Sequence, residues 1–154
     1  SLDRPTEYWT HNVIAGQRLF EYFPNTRILY ASSSTAVEPW RNPYAMSKFS
    51  LERLAPENAV GMRFTTVYGP GAREHMLIPR ILRNDVPFVH TNHTRDFIHV
   101  KDLTRAILKA ASSKKIGEIY NIGSGKEIKV NKIATHFPLS ISSSFFIDIN
   151  LTKI

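Results

Sequence analysis

The 154-residue sequence contains no cysteine. Disulfide bonds and thiolate metal sites are therefore excluded, and a metal site would have to be built from His, Asp and Glu alone. No apolar run approaches the ~18 residues that cross a bilayer. The first residues also lack the basic, apolar and small-residue order of a secretory signal. We therefore expect a soluble, cytoplasmic protein.

Phosphate-binding glycine turns and histidine metal motifs are also missing. The segment Gly123-Ser-Gly125 lacks a third glycine and does not open a helix, so it predicts a plain turn. The six histidines show no ligand spacing. Only His90 and His93 lie close together, in a polar loop, and we expect no metal there.

The charge is unbalanced, with 20 basic against 13 acidic residues and a formal net charge of +7. Such a balance is compatible with nucleic acid, membrane headgroups or an anionic small substrate. The basic residues are scattered, and Lys114-Lys115 is the only adjacent pair. This scatter favours a generally basic surface over a nucleic-acid site, and it also fits a diphosphate substrate.

Helical and strand patterns alternate along the chain. The first half predicts a helix over 6–23, a buried strand over 27–31, a loop over 32–35, a helix over 44–54, a strand over 60–65 and a turn over 68–71. The second half predicts a helix over 76–83 with Pro79 in its first turn or at a kink, then a strand over 97–100, a helix over 102–111, a strand over 118–122 and a helix over 130–136. This alternation indicates an α/β fold with a mainly parallel sheet and right-handed crossovers.

Tyr44 and Lys48 are suited to acid–base chemistry. They are four residues apart on the predicted helix 44–54, which places both on one face, one turn apart. An ammonium beside a phenol favours the phenolate, and such a tyrosine can act as general base or acid on a hydroxyl or carbonyl. A serine hydroxyl from the preceding strand end can share the substrate oxygen. Taken alone, Tyr-x-x-x-Lys more often marks a surface tyrosine and lysine, so the surrounding segments must decide.

Five segments supply that context. In chain order they are Tyr30-Ala-Ser-Ser-Ser-Thr, Asn42-Pro-Tyr-Ala-Met-Ser-Lys48, Arg63-Phe-Thr-Thr-Val-Tyr-Gly-Pro70, Arg95-Asp-Phe-Ile-His-Val-Lys-Asp102 and Tyr120-Asn-Ile-Gly-Ser-Gly125. They resemble successive signature blocks of the extended short-chain dehydrogenases, specifically the NAD-dependent nucleotide-sugar epimerase/dehydratase family. The resemblance covers residues 3–136. It implies an incomplete Rossmann-like sheet with flanking helices, and part of a small C-terminal substrate domain.

The resemblance also implies roles for the residues in these segments. Tyr44 would be the catalytic base, and Lys48 would favour its ionised form and hold the nicotinamide ribose of NAD. Ser33 would hydrogen-bond the sugar hydroxyl that is oxidised, with Ser34 as the alternative. Further cofactor contacts would come from a helix asparagine and from the strand ends that line the nicotinamide: Asn12, Ala31, Ser32, Phe64 and Thr65.

Two further residues resemble positions on the substrate side. Arg95 matches an arginine that pairs with the substrate diphosphate, for which a guanidinium fork is well suited. Its alternative reading is a strand-end arginine paired with Asp96 or Asp102. Thr66 stands where the family usually has an asparagine that touches substrate.

The residues after Ser33 bear on the reaction. Dehydratases of the family place acidic residues there, whereas Ser34 and Thr35 do not ionise near neutral pH. The resemblance therefore favours a 4-epimerase-like reaction, with transient oxidation and re-reduction of a sugar hydroxyl. A dehydratase or reductase of the same family is the alternative. A non-catalytic basic interaction domain is the alternative from another class.

The family's opening strand, glycine-rich turn and helix, which cradle the dinucleotide pyrophosphate, have no counterpart in this sequence. We expect a truncated piece that is inactive unless a complementing N-terminal half is supplied; the resemblance also implies a homodimer. The expected domains are 1–70, the C-terminal half of the dinucleotide-binding domain with the Ser/Tyr/Lys set, and 71–137, a substrate-side region with interleaved sheet elements. Residues 138–154 form an atypical tail.

Overall fold

A computed structural model describes residues 2–86, 92–136 and 152–153, which fall into two α/β units. Unit 1 is drawn from Ser1–Phe64, Leu108–Ile122 and Leu151–Ile154. Unit 2 is drawn from Thr65–Ile107 and Gly123–Asn150. Because the chain leaves unit 1 and returns to it, neither unit is a continuous stretch of sequence.

The described helices and strands alternate for most of the chain. In chain order they are α1 (Pro5–Tyr8), a π-helical segment (Trp9–Ile14), α2 (Ala15–Tyr22), β1 (Leu29–Ser33), two 3₁₀ turns (Ser34–Val37 and Pro39–Arg41), α3 (Pro43–Leu54), β2 (Val60–Phe64), β3 (Thr66–Tyr68), α4 (Leu77–Leu82), β4 (Thr94–His99), α5 (Val100–Ser112), β5 (Glu118–Ile122), β6 (Glu127–Lys129), α6 (Val130–His136) and β7 (Thr152–Lys153).

Unit 1 is built on a parallel sheet. Its strand order is β1-β2-β5-β7, with β1, β2 and β5 parallel and β7 antiparallel to β5. The last residues of the three parallel strands are in register, because Ser33 pairs with Phe64 and Phe64 pairs with Ile122. Ligands of open parallel sheets bind at this carboxyl edge.

An aromatic and aliphatic cluster joins the helices of unit 1 to its sheet. Phe20 of α2 meets Tyr30 of β1 edge to face, with ring centroids 5.6 Å apart, and Leu51 of α3 completes the contact. Residues Leu108–Ile122 are held at the same sheet by Arg27. Its guanidinium donates to the carbonyl oxygens of Ala110 and Lys115, each at 2.8 Å, and so caps the end of α5.

Unit 2 has a smaller sheet of order β3-β4-β6, in which β3 and β4 are parallel and β6 is antiparallel to β4. Its core contains Ile78 and Ile81 of α4, Phe97 of β4 and Ile133 of α6. Tyr68, the last residue of β3, packs edge to face against Phe97.

The expected α/β fold with a mainly parallel sheet is confirmed, and the predictions for residues 118–122 and 130–136 match β5 and α6 residue for residue. The helix expected over 6–23 is a continuous helical run from Pro5 to Tyr22 that includes the π-helical segment. Pro79 lies in the first turn of α4, where its missing N–H leaves no helical bond unmade.

Several boundary predictions were wrong, among them the strand expected over 97–100, which runs from Thr94 to His99. The strand expected over 27–31 lies at Leu29–Ser33, so Ser32 and Ser33 belong to it and not to a loop. Small polar residues occupy this buried strand because Ser32 has a buried hydrogen-bond partner, described below. Tyr68 ends a strand instead of opening the turn expected over 68–71, since its ring packs in the core of unit 2. The short strand β6 was not predicted.

Some predicted features lie beyond the described residues. His90 and all but two residues of the tail 138–154 lie outside the described residues. The domain boundaries at 70 and 137 stay a prediction. None of the helices within residues 2–86 and 92–136 has the length and apolarity that a bilayer crossing requires.

The buried phenol of Tyr30 should make the free energy of unfolding depend on pH in the alkaline range. Burial, and next the negative charge of Glu52, raise the pKa of the Tyr30 phenol from 10.0 to about 12. Between these two pH values the unfolded chain releases the proton while the folded chain keeps it, so the free energy of unfolding falls as the pH rises. Urea denaturation across this range should show a smaller fall in Tyr30→Phe than in the parent.

Tyr22→Phe is the matched control, because the Tyr22 side chain is 78% exposed. It should keep the alkaline fall of the parent. An equal fall in Tyr30→Phe and the parent would contradict a raised pKa for Tyr30.

Candidate active site

Helix α3 carries both Tyr44 and Lys48, and its start is fixed by local sequence. The side chain of Asn42 accepts a hydrogen bond from the backbone N–H of Ala45 at 2.9 Å, which makes it the N-cap. Pro43 occupies the first helical position, where its fixed φ suits the helix. Tyr44 is therefore placed in the first turn, and Lys48 lies one turn further on.

The ring of Tyr44 is held between two side chains. The ring of Tyr8, from α1, meets it edge to face, with centroids 5.6 Å apart and planes at 75°. The Nζ atom of Lys48 lies 5.9 Å from the Tyr44 centroid, within the range of a cation–π contact. The phenol and the ammonium that the sequence placed on one helical face are thus neighbours.

Lys48 links this helix to the carboxyl end of β1. Its Nζ donates to the carbonyl oxygen of Ala31 at 3.0 Å. Burial lowers the pKa of the Lys48 amino group from its usual 10.5, because a low-dielectric surrounding disfavours the charged form. An ammonium has three N–H donors, so the bond to Ala31 leaves further donor capacity at the edge of the sheet.

Ser33 is the last residue of β1 and is 7% exposed. Its Oγ lies 2.9 Å from Thr35 Oγ1 and accepts the backbone N–H of Thr35 at 3.3 Å, which caps the 3₁₀ turn Ser34–Val37. Ser34 belongs to that turn and not to the strand. The two serines considered for the same role therefore have different backbone surroundings.

Asn12 acts on the backbone of α3. It lies in the π-helical segment, and its Nδ2 donates to Ser47 Oγ at 2.9 Å. Ser47 in turn donates to the carbonyl oxygen of Tyr44 at 2.8 Å. Asn12 is therefore joined to the residue that bears the phenol through one intermediate hydroxyl, which is fully buried.

A buried ionic group behind the strand was missed at the sequence level. Glu52 of α3 accepts hydrogen bonds from Ser32 Oγ and from two nitrogens of Arg63 on β2. Two signals could have indicated it. Position 52 continues the spacing of 44 and 48, and Arg63 interrupts an apolar strand, where a charge requires a partner.

This group changes what Ser32 can contribute to a cofactor site. Its hydroxyl points towards Glu52, and the residue is 3% exposed. Ala31, by contrast, is exposed, and Phe64 is half-buried at the end of β2 beside Ser33. Of the strand-end residues in unit 1 predicted to line a nicotinamide, Ala31 and Phe64 thus have accessible surface.

Unit 2 carries Thr65, Thr66 and Arg95. Thr66 begins β3 and pairs with Phe97. Thr65 lies against the turn at Gly123, where a Cβ would come within 2.7 Å of Thr65 Cγ2, so a side chain has no room there. These residues belong to unit 2, whereas Tyr44 and Lys48 belong to unit 1.

Arg95 is exposed on β4, and its guanidinium donates to the carbonyl oxygen of Thr94 at 3.1 Å. The two carboxylates considered as its partners have other contacts. Asp102 pairs with Arg105. Asp96 accepts Ser124 N at 2.8 Å, Ser124 Oγ at 2.6 Å and Gly125 N at 3.0 Å.

The same contacts of Asp96 characterise the turn at residues 123–125. The backbone N–H groups of Ser124 and Gly125 donate hydrogen bonds to the Asp96 carboxylate, and Gly125 adopts a positive φ of 73°. The segment is a turn closed on an internal anion, which agrees with the plain turn that the sequence predicted.

The N-cap of α3 can be tested by mutation. Asn42→Ala removes the acceptor for the Ala45 N–H and should lower the free energy of unfolding by about 1 kcal/mol. Asn42→Asp keeps an acceptor and should remain within a few tenths of a kcal/mol of the parent. Urea denaturation monitored by circular dichroism measures both, and equal stability of Asn42→Ala and the parent would show that the cap contributes nothing.

Comparison with known proteins identifies relatives of the chain. A model of the NAD dependent epimerase/dehydratase family matches residues 1–123. A putative UDP-glucose 4-epimerase of Methanocaldococcus jannaschii is 30% identical over 80% of this chain and 49% of its own length. The human dTDP-D-glucose 4,6-dehydratase is 32% identical over 60% of this chain and 30% of its own.

A solved protein structure is also similar to this chain. MoeE5 in complex with UDP-glucuronic acid and NAD is 33% identical, with a TM-score of 0.69 over 79% of this chain and 51% of that protein. The chain spans about half the length of the curated relatives it matches first. These relatives include nucleotide-sugar epimerases, dehydratases and reductases.

Proposed function

This chain belongs to the NAD-dependent epimerase/dehydratase family, and we propose that the complete protein is a nucleotide-sugar 4-epimerase. One observation carries the oxidation and reduction steps of this proposal. Lys48 bonds to the carbonyl oxygen of Ala31 while its ammonium lies against the Tyr44 ring. A phenol and an ammonium are thereby held at the strand end that also carries Ser33.

Tyr44 is the proposed acid–base residue. Its phenolate takes the proton of the sugar hydroxyl as that carbon is oxidised and returns it when the carbon is reduced. Lys48, whose Nζ lies 5.9 Å from the centroid of the Tyr44 ring, is the proposed cation of this pair. The edge-on ring of Tyr8 packs against the Tyr44 ring and limits the ring orientations open to the phenol.

Ser33 is the proposed hydroxyl that shares the substrate oxygen. Its Oγ already exchanges hydrogen bonds with Thr35, so it is oriented before substrate arrives. A hydroxyl can both donate and accept. It can therefore bond the sugar oxygen in its protonated and its carbonyl form.

The residues at the carboxyl edge of β1 and β2 fit NAD. The Lys48 ammonium has donor capacity for ribose hydroxyls beyond its bond to Ala31, and Ala31 and Phe64 offer accessible surface for a nicotinamide ring. Asn12 contributes by holding the backbone of Tyr44. The chemistry that NAD supplies when bound is reversible hydride acceptance at the sugar carbon.

The proposed substrate is a nucleoside diphosphate sugar. Relatives have been solved with UDP-glucuronic acid and UDP-glucose, and Arg95 is an exposed guanidinium whose neighbouring carboxylates are engaged elsewhere. A planar guanidinium binds phosphate oxygens in pairs, which an ammonium does not. Thr66 is the proposed further substrate contact.

The residues after Ser33 support an epimerase over a dehydratase. Ser34 opens a 3₁₀ turn, and Thr35 bonds to Ser33. The one carboxylate between Ser33 and Tyr44, that of Glu38, pairs with Arg41 at 3.0 Å. Water elimination needs acid and base groups free to transfer protons at neighbouring carbons, and this segment offers none in that state.

The reaction can be identified in D₂O with the complete protein, NAD and a panel of UDP sugars. A 4-epimerase returns the abstracted hydride to the carbon it left, so the product should carry no solvent deuterium on carbon. A dehydratase exchanges a carbon-bound proton with solvent and loses water. NMR and mass spectra separate the two results, and a deuterated, dehydrated product would overturn the epimerase assignment.

The role of Tyr44 predicts a large loss of turnover on substitution. Tyr44→Phe removes only the hydroxyl and should lower kcat by about 100-fold or more, while calorimetry should show that UDP-sugar binding is retained. Tyr22→Phe, at an exposed helix position, should turn over like the parent. Equal kcat for Tyr44→Phe and the parent would exclude Tyr44 as the acid–base residue.

The role of Arg95 predicts a different pattern. Arg95→Ala removes the proposed diphosphate contact and should raise the KM for the UDP sugar by about tenfold or more, as for the loss of a charged hydrogen bond, while NAD affinity stays unchanged. Arg18→Ala makes the same change of charge on an exposed face of α2 and should leave both constants unchanged. An unchanged KM in Arg95→Ala would remove this residue from the substrate site.

A further inference from the structure

Three side chains at a spacing of four project from one face of α3: Tyr44, Lys48 and Glu52. The first two belong to the proposed chemistry, whereas Glu52 is 5% exposed and faces the sheet. Its Oε1 accepts Ser32 Oγ at 2.5 Å and Arg63 Nε at 2.8 Å, and its Oε2 accepts Arg63 Nη2 at 2.6 Å. One carboxylate therefore binds a helix to two strands.

The strand partners of Glu52 are themselves neighbours. Ser32 of β1 and Arg63 of β2 are paired in the parallel ladder, and they are 3% and 9% exposed. A displacement of either strand relative to α3 would break at least one of these bonds. Breaking such a bond in an interior without water leaves a polar group unsatisfied, and this costs free energy.

Stability alone does not account for this arrangement. Removing two charges from water costs about as much as their attraction returns, and apolar pairs of similar volume are often equally stable in such places. A bidentate arginine–carboxylate pair does, however, impose a narrow geometry. The contacts of Glu52 with Ser32 and Arg63 therefore fix the position of β1 against α3.

That position matters for the two residues that flank Ser32. Ala31 receives the Lys48 ammonium on its carbonyl oxygen, and Ser33 carries the hydroxyl that is proposed to share the substrate oxygen. Lys48 and Glu52 thus attach α3 to consecutive residues of one strand. Attachment at two points prevents the sliding and rotation that a single bond from a flexible lysine would permit.

We propose that Glu52 is a positioning residue, which through Ser32 and Arg63 holds the Ser33 hydroxyl at the distance from Tyr44 that the reaction needs. The inference rests on the proposed function of Tyr44 and Ser33. It assigns Ser32 to the support of the strand and not to a side-chain contact with cofactor. Displacement of a reacting group by about 1 Å can lower turnover by about 100-fold, so a support of this kind has a measurable effect.

Ser32→Ala is the most direct test, because it removes the tie to β1 and leaves the Glu52–Arg63 ion pair in place. In the complete protein kcat should fall by about tenfold or more, with the KM for the UDP sugar and the affinity for NAD unchanged. A merely structural role would lower the melting temperature and leave kcat, measured well below that temperature, at the parental value.

The double variant Glu52→Met/Arg63→Met separates positioning from stability. It removes both charges together, so no buried charge is left unpaired, and it should fold with a melting temperature close to that of the parent. Its kcat should nevertheless fall as in Ser32→Ala. Leu51→Ala, at the neighbouring core position on α3, is the matched control: it lowers the melting temperature through a cavity but should keep the parental kcat.

A readout without substrate distinguishes failure of this inference from failure of the proposed function. The NMR titration of the Lys48 side chain should show its pKa, lowered in the parent by burial, moving back towards 10.5 in Ser32→Ala as the strand shifts. Parental kcat in both Ser32→Ala and the double variant would overturn the positioning role and leave the proposed function standing. If the parent turns over no nucleotide sugar, the proposed function falls, and an unchanged Lys48 titration would overturn the positioning role as well.

Discussion

The attachment of α3 to the end of β1 is the constraint on which the site in unit 1 depends. Apolar packing of Phe20, Tyr30 and Leu51 brings the helix to the sheet, but such contacts are non-directional and tolerate small displacements. Directional bonds fix the remaining freedom: Lys48 to the carbonyl oxygen of Ala31, and Glu52 to Ser32. A helix spacing of four residues is thereby converted into a defined arrangement of functional groups at a sheet edge.

Periodicity and chain order were sufficient to predict the α/β alternation, the bounds of β5 and α6, and the proximity of Tyr44 and Lys48. They failed where a long-range contact reverses a local preference. A serine run favours a loop, but Ser32 lies in a buried strand because Glu52, twenty residues later, accepts its hydroxyl. The role of Asn12 in holding the backbone of Tyr44 likewise depends on a π-helical segment that no local pattern signals.

Relatives of this chain include epimerases, dehydratases and reductases, and the proposed role of Tyr44 and Lys48 is compatible with all three reactions. A phenol beside an ammonium serves any reaction that begins or ends with oxidation at a sugar carbon. In the proposed function, the choice among these reactions depends on side chains that reach neighbouring carbons, among them those in the segment after Ser33. In this chain that segment consists of two short 3₁₀ turns, and Glu38, which lies between them, is paired with Arg41.

The return of the chain to unit 1 at Leu108 has a consequence for biosynthesis. Strand β2 has β1 on one side and β5 on the other, and β5 is synthesised only after all of β3, β4 and α5. While the intervening residues leave the ribosome, the β5 side of β2 has no native strand to pair with, and the carbonyl groups that Arg27 caps do not yet exist. An apolar strand edge in that state can pair with other chains. Nascent chains paused before Leu108 should therefore depend on chaperones more than completed ones.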